Sequence, residues 1–123
     1  MRQLIAFLSF ILLTFSAFAG VKVDKEIFYA ENGGQKLYLD IYRSDTAQTE
    51  GRCLIFVFGG GFIHGSKSDS LNMAFCTKMA ERGMIVAAID YRLGMKGVSK
   101  VGKLNTKPID NAIHIAAEDL CAA

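Results

Sequence analysis

The chain has few cysteines, no clustered charge and no apolar run long enough to cross a bilayer, and each shortage closes a class of function. Cys53, Cys76 and Cys121 are odd in number, widely spaced and without a Cys-x-x-Cys pair, so neither a disulfide framework nor a thiol redox motif is supported. Each reads as a small buried hydrophobe, although export would leave one pairing open. The formal charge is only +2, and the basic residues are scattered apart from a loose group between Lys96 and Lys107. A nucleic-acid surface needs clustered Lys and Arg, so no nucleic-acid partner is expected. Asp110, His114 and Glu118 recur four residues apart near the chain end; a solvated helix face with mild attraction accounts for such a stripe, and no metal or cofactor is expected.

The first 19 residues carry one positive charge, Arg2, then an apolar stretch over 4–15, then Ala17-Phe18-Ala19 ahead of Gly20. That pattern is a cleavable secretory signal, and its apolar segment falls short of the ~20 residues a spanning helix needs. No Cys follows the expected cleavage point to carry a lipid. Residues 1–19 are therefore expected to be a signal peptide, the protein to be periplasmic or secreted, and no membrane anchor to remain. The sequence leaves the oligomeric state open.

Two apolar segments, 27–30 and 36–42, flank Glu31-Asn32-Gly33-Gly34, which predicts a β-hairpin. In the second arm Leu37, Leu39 and Ile41 alternate with Tyr38, Asp40 and Tyr42, the pattern of a half-buried strand. Residues 53–58 and 84–89 are apolar without alternation, as for strands covered on both faces. Between them Leu71, Phe75 and Met79 mark the apolar stripe of a helix, with Asp69 and Ser70 as caps and Gly83 at its end. Strand, helix and strand make a right-handed parallel crossover, so the class is α/β. A glycine- and lysine-containing loop over 94–107 follows, then a helix begun by Pro108 with Ile109, Ala112, Ile113, Ala116 and Leu120 on its apolar side. Residues 20–123 read as one domain.

The most informative segment is Phe58-Gly59-Gly60-Gly61-Phe62 at the end of the first parallel strand. Glycines there leave backbone N–H groups uncovered by side chains and permit positive φ. Taken with Leu39-Asp40-Ile41-Tyr42 before it, Gly65 and Ala80-Glu81-Arg82-Gly83 after it, and Ile89-Asp90-Tyr91-Arg92-Leu93-Gly94, the segment resembles the N-terminal part of the α/β-hydrolase carboxylesterases. Within that family it is most similar to bacterial secreted esterases acting on acetyl or feruloyl groups of plant polysaccharides. The resemblance implies the N-terminal half of a three-layer α/β-hydrolase fold and a small-molecule or polysaccharide ester as substrate. It further implies that Gly60 and Gly61 donate N–H groups to an oxyanion while Gly59 shapes the turn.

The chain departs from the family in two places. Phe58 stands where many relatives have His before the glycines, which bears on the rigidity of the loop. No Gly-x-Ser-x-Gly occurs: Ser66 and Ser68 lack the second glycine, Ser99 fits no better, and neither His64 nor His114 maps onto the catalytic base. Nucleophile, acid and base are thus expected to be absent, and the chain to be an inactive N-terminal fragment or truncated product. Two other readings compete. One is a non-catalytic exported α/β chain. The other is a P-loop-like nucleotide binder, since Gly60-x-x-x-x-Gly65-Ser66-Lys67-Ser68 nearly spells that motif with Ser66 intruding before Lys67. Asp90-Tyr91-Arg92, at a strand end, is expected to anchor its loop.

Overall fold

The structure, a computed structural model, describes residues 20–45, 51–98 and 106–123; the expected signal peptide and Ser99 lie outside them. Gly33 and Gly34 have φ of 56° and 75°, and this primed turn folds β1 (Val21–Asn32) back on β2 (Gln35–Ser44). Asn32 pairs with Gln35 as the last rung, so the turn is Gly-Gly, with Asn32 at its entrance. β1 starts well before the apolar segment that announced it. Its alternation is hidden by register shifts between Asp24 and Ile27 and between Phe28 and Ala30.

β3 (Cys53–Val57), α1 (Ser70–Glu81) and β4 (Ile85–Ile89) form the expected parallel crossover. α1 ends as its sequence indicates: Gly83 has φ 82°, and the N–H groups of Gly83 and Met84 return to the carbonyls of Ala80 and Met79. β4 also pairs antiparallel with β2, giving the strand order β1-β2-β4-β3. α2 (Lys107–Ala122) has Pro108 in its first turn. This is the α/β architecture expected from the sequence.

The register places Asp40 and Tyr42 beside Ala88 and Val86, and these beside Phe56 and Leu54, on the face covered by α1. Tyr42, Val86 and Ala88 pack there with Cys76 and Ala80. Leu37, Leu39 and Ile89 are buried as well, so β2 is an interior strand occupied on both faces rather than a half-buried one. β3 departs in the opposite direction. Cys53, Ile55 and Val57 are exposed, because β4 is the only strand beside it among the described residues and α1 covers only the Leu54 and Phe56 side.

Both helices are rotated from the faces their apolar residues suggest. In α1 the buried residues are Cys76 and Ala80, whose small side chains allow close approach to the sheet, while Leu71 is 83% exposed. Phe75 lies at the margin with its ring 5.4 Å from that of Phe56. In α2 the buried residues are Ala112 and Asp119, with Ile109, Ile113 and Leu120 exposed. The charge partners of Asp119 turn the helix this way. Of the three cysteines only Cys76 is buried; Cys53 lies on the open face of β3 and Cys121 in the last turn of α2.

Candidate active site

β3 and β4 run parallel, and the chain leaves both at the same rim, where open α/β sheets place their ligand sites. The glycine loop begins at that rim. Gly60 has φ 147°, and a Cβ on it would stand 1.8 Å from the His64 carbonyl oxygen, so only glycine fits. Its carbonyl accepts from the N–H groups of Ile63 and His64 at 3.2 and 3.4 Å, which closes a tight turn. Gly61 and Phe62 follow with φ of 63° and 62°. A Cβ on Gly65 would meet the Gly59 carbonyl at 2.6 Å and the Phe58 ring at 2.9 Å, so the segment folds back onto its own start.

Gly59 has no left-handed φ and open space where a Cβ would be, so the turn-shaping assigned to it falls instead on Gly60. Space is also open at the Cβ position of Gly61. Among the described residues the N–H groups of Gly60 and Gly61 donate to no acceptor. Two adjacent backbone donors are therefore available at the sheet rim.

Three contacts from the segment after β4 hold this loop. The Tyr91 hydroxyl donates to the Phe58 carbonyl at 2.8 Å, and the Met95 N–H donates to the Phe62 carbonyl at 2.9 Å. The Tyr91 ring lies 4.5 Å from that of Phe58 and 6.3 Å, edge-on, from that of Phe62. Phe58 is 4% exposed, so stacking and burial fix its position at the entrance to the loop. Asp90 supplies the third contact through Lys67.

Lys67, 3% exposed, donates to Glu26 at 2.7 Å and to Asp90 at 3.0 Å, with Asp40 at 3.7 Å. Burial pulls its pKa down, but the hydrogen bonds to Glu26 and Asp90 and the charges of Asp90 and Asp40 outweigh that, leaving it above its ordinary value. Burial pushes the Asp90 carboxyl up, against the lowering effect of Lys67. The ammonium is committed to carboxylates. It is not free for a phosphate, so the P-loop reading fails on geometry as well as spacing. No group of His, Cys, Asp or Glu side chains among the described residues is arranged for a metal ion. His114 and Asp110 are exposed, and Glu118 pairs with Arg92.

Arg92 ties the other side of the strand end to α2. Its guanidinium meets Asp119 at 2.8 Å and Glu118 at 2.9 Å, and its backbone N–H donates to Asp119 at 2.8 Å. Asn32 donates to the same carboxylate. Burial raises the Asp119 pKa, but the hydrogen bonds from Arg92 and Asn32 prevail and hold it below the usual carboxylate range. The Tyr29 hydroxyl donates to the Asp90 carbonyl, and burial together with Asp119 and Asp90 pushes its pKa up to about 12. Asp90-Tyr91-Arg92 anchors its surroundings, as expected.

Ser66 and Ser68 serve a local turn: Ser66 Oγ accepts from the Ser68 N–H at 3.0 Å, and Asp69 accepts from the Ser66 N–H. Neither serine bonds to His64 or His114. Sequence reading missed the grip of Tyr91 on Phe58 and the carboxylate cage of Lys67. Asp40, the one acidic residue of β2 and flanked by Leu39 and Ile41, was the available signal, since a buried carboxylate requires a partner.

Residues 39–100 match the BD-FAE family model. Cholinesterase 1 of Branchiostoma lanceolatum is 31% identical over 67 residues, 54% of this chain and 18% of that protein. Among solved structures, brefeldin A esterase, a bacterial homologue of human hormone-sensitive lipase, superposes with TM-score 0.60 at 18% identity, over 90% of this chain and 28% of that one. The esterase Est22 superposes with TM-score 0.53 at 24% identity, over 61% of this chain and 22% of that one. At those identities the structural likeness speaks for the fold alone. The chain spans less than a third of the length of each of these proteins. With the matched segment running from β2 through the glycine loop and β4, the chain belongs to the BD-FAE family and has the fold of part of the α/β-hydrolase-fold esterases on which it superposes.

Proposed function

We propose that this chain carries the oxyanion-stabilising part of an exported carboxylic-ester hydrolase, with acyl transfer through a serine outside residues 1–123. The observation that supports this most directly is the pair of Gly60 and Gly61 N–H groups, unpartnered among the described residues, on a clamped loop at the rim of a parallel sheet. In the reaction a serine hydroxyl gives its proton to a general base, also outside residues 1–123, and adds to the ester carbonyl, so that negative charge develops on the carbonyl oxygen. Collapse breaks the bond to the alcohol, which leaves with that proton, and water then releases the acid from the serine. Two preorganised amides lower that barrier, each typically by ~3 kcal/mol. No cofactor enters the scheme. The substrate class is an ester of a small molecule or of a polysaccharide, the acetyl and feruloyl esters implied by the resemblance among them. Residues 1–19 would direct export to the periplasm or medium.

The test is to read all three frames downstream of codon 123 for a strand followed by Gly-x-Ser-x-Gly, and to assay the extended chain on p-nitrophenyl acetate. Hydrolysis that depends on that serine and falls by about two orders of magnitude or more in Gly60→Ala is the expected result. Undiminished turnover in a folded Gly60→Ala protein would remove the loop from the mechanism.

A further inference from the structure

β1 carries two irregularities, of which one reaches Lys67, just after the glycine loop, and the other the strand end that grips the loop. At the first, Lys25 and Glu26 together stand opposite Asp40, between the Asp24–Ile41 and Ile27–Leu39 pairs. Glu26 has φ 55°, an uncommon conformation for a residue with a Cβ, and its N–H donates to Asp40 at 2.9 Å. Its carboxylate then reaches Lys67 at 2.7 Å. At the second, Tyr29 is the extra residue between the Phe28–Tyr38 and Ala30–Leu37 pairs, and its hydroxyl bonds the Asp90 carbonyl. Strain of this kind persists only where the surroundings over-determine it.

Lys67 is the junction. It follows the glycine loop directly and lies just before α1. Its ammonium joins β1 through Glu26, β2 through Asp40 and the end of β4 through Asp90. Among the described residues Lys67 is the cation that meets all three of those carboxylates. Residues 90–95 also hold Phe58 and Phe62, so the loop is fixed at both ends to one segment.

We propose that Lys67 is a positioning residue for the glycine loop: its ammonium, caged by Glu26, Asp40 and Asp90, locks the loop's C-terminal end to the strand end that grips its N-terminal end, and so sets where the Gly60 and Gly61 amides point. The significance for catalysis rests on the ester-hydrolase reading, but the positioning itself does not. The charged cage also accounts for the β1 bulge, which turns the Glu26 carboxylate toward Lys67 at the cost of a positive φ.

Hydrogen–deuterium exchange on the 123-residue chain tests this without any need for catalysis. The reporters are the bonded amides of Ile63, His64 and Met95, compared with those of α1 and β4. Lys67→Met should accelerate loop exchange by about tenfold or more, the scale of a lost charged hydrogen bond, with α1 and β4 little changed. Lys67→Arg, which keeps the cation, should stay closer to the parent. Glu26→Gln, altered at a side chain 61% exposed, decides the matter where Lys67→Met loosens the whole sheet: it should also accelerate the loop selectively. Unchanged loop exchange in Glu26→Gln, a uniform rise across all segments in that variant, or equal loss in Lys67→Met and Lys67→Arg would overturn the proposal. A selective loop effect beside a catalytically silent extended chain would keep the positioning role and sink the oxyanion reading.

Discussion

The Tyr91 hydroxyl donates to the carbonyl of Phe58 at 2.8 Å while the two rings stack at 4.5 Å, so a residue just after β4 controls the entrance to the glycine loop. Tyr91→Phe keeps the ring and deletes the donor. The loss should be about 1–3 kcal/mol, since the buried carbonyl is left unpaired. Chemical denaturation of parent and variant under the same conditions measures it, and a difference near zero would mean that stacking alone holds Phe58.

Gly60 and Gly61 should respond to alanine very differently. At Gly60 a Cβ meets the His64 carbonyl at 1.8 Å, so Gly60→Ala must reshape the loop. At Gly61 nothing lies within 4 Å, and the cost is that of a left-handed φ for a residue with a Cβ, about 1–2 kcal/mol. Proline at position 61 is a poorer probe of the amide, because it requires φ near −65° where the loop has 63°. Tm values of the two alanine variants check the order: Gly60→Ala should be the lower.

Asp119 couples α2 to the strand end, and Asp119→Ala should cost roughly 3 kcal/mol by leaving Arg92 without its buried partner. The pH dependence follows from the sign of the shift. A carboxyl held below its ordinary value stabilises the fold above the unfolded pKa of about 4, and that contribution disappears as pH falls through the folded value. Acid unfolding should therefore set in at higher pH, relative to neutral stability, for the parent than its other carboxylates alone would give. The comparison of Asp119→Asn with the parent between about pH 2 and 5 reads this out: the stability gap should narrow as pH falls.

Tyr29 gives the alkaline counterpart. Its pKa rises from 10.0 to about 12, so the folded state favours the protonated phenol, and its contribution is complete below pH 10 and lost by about pH 12. Tyr29→Phe should be less stable than the parent at pH 8, and its Tm should fall less steeply across that interval. Parallel Tm profiles would show that the hydroxyl bond to Asp90 carries no weight.

The fold was legible where chemistry is local. Gly33 and Gly34 announce the hairpin, Gly83 the end of α1, Pro108 the start of α2, and the unalternating segments the parallel pair. What the sequence hid depends on partners far along the chain. Lys67 finds Glu26 and Asp90 across separations of 41 and 23 residues, and that pairing adds to the intruding Ser66 in separating it from a phosphate-binding lysine. The rotation of α2 was hidden for the same reason, because Asp119 faces inward to meet Arg92, where the apolar stripe of the helix would put a carboxylate on the solvent side. The bulges of β1 broke the alternation that would have marked the strand from Val21. At the candidate site the glycines were plain and their division of labour was not, because the clash that makes Gly60 indispensable comes from the His64 carbonyl.

The exposed Ile55 and Val57 on β3, a strand paired on one side only among the described residues, predict that the 123-residue chain self-associates. Ile55→Lys places a charge on that strand and should shift the population toward monomer in light scattering. A monodisperse monomeric parent would show that the edge is covered in solution.

The central claim is that the glycine loop is present here without a nucleophile to serve it. The direct measurement is p-nitrophenyl acetate hydrolysis by the purified 123-residue chain beside Ser66→Ala, Ser68→Ala and Ser99→Ala variants. The account predicts rates at background for all four proteins. Turnover by the parent that one of those substitutions abolishes would place the nucleophile within this chain and contradict the account.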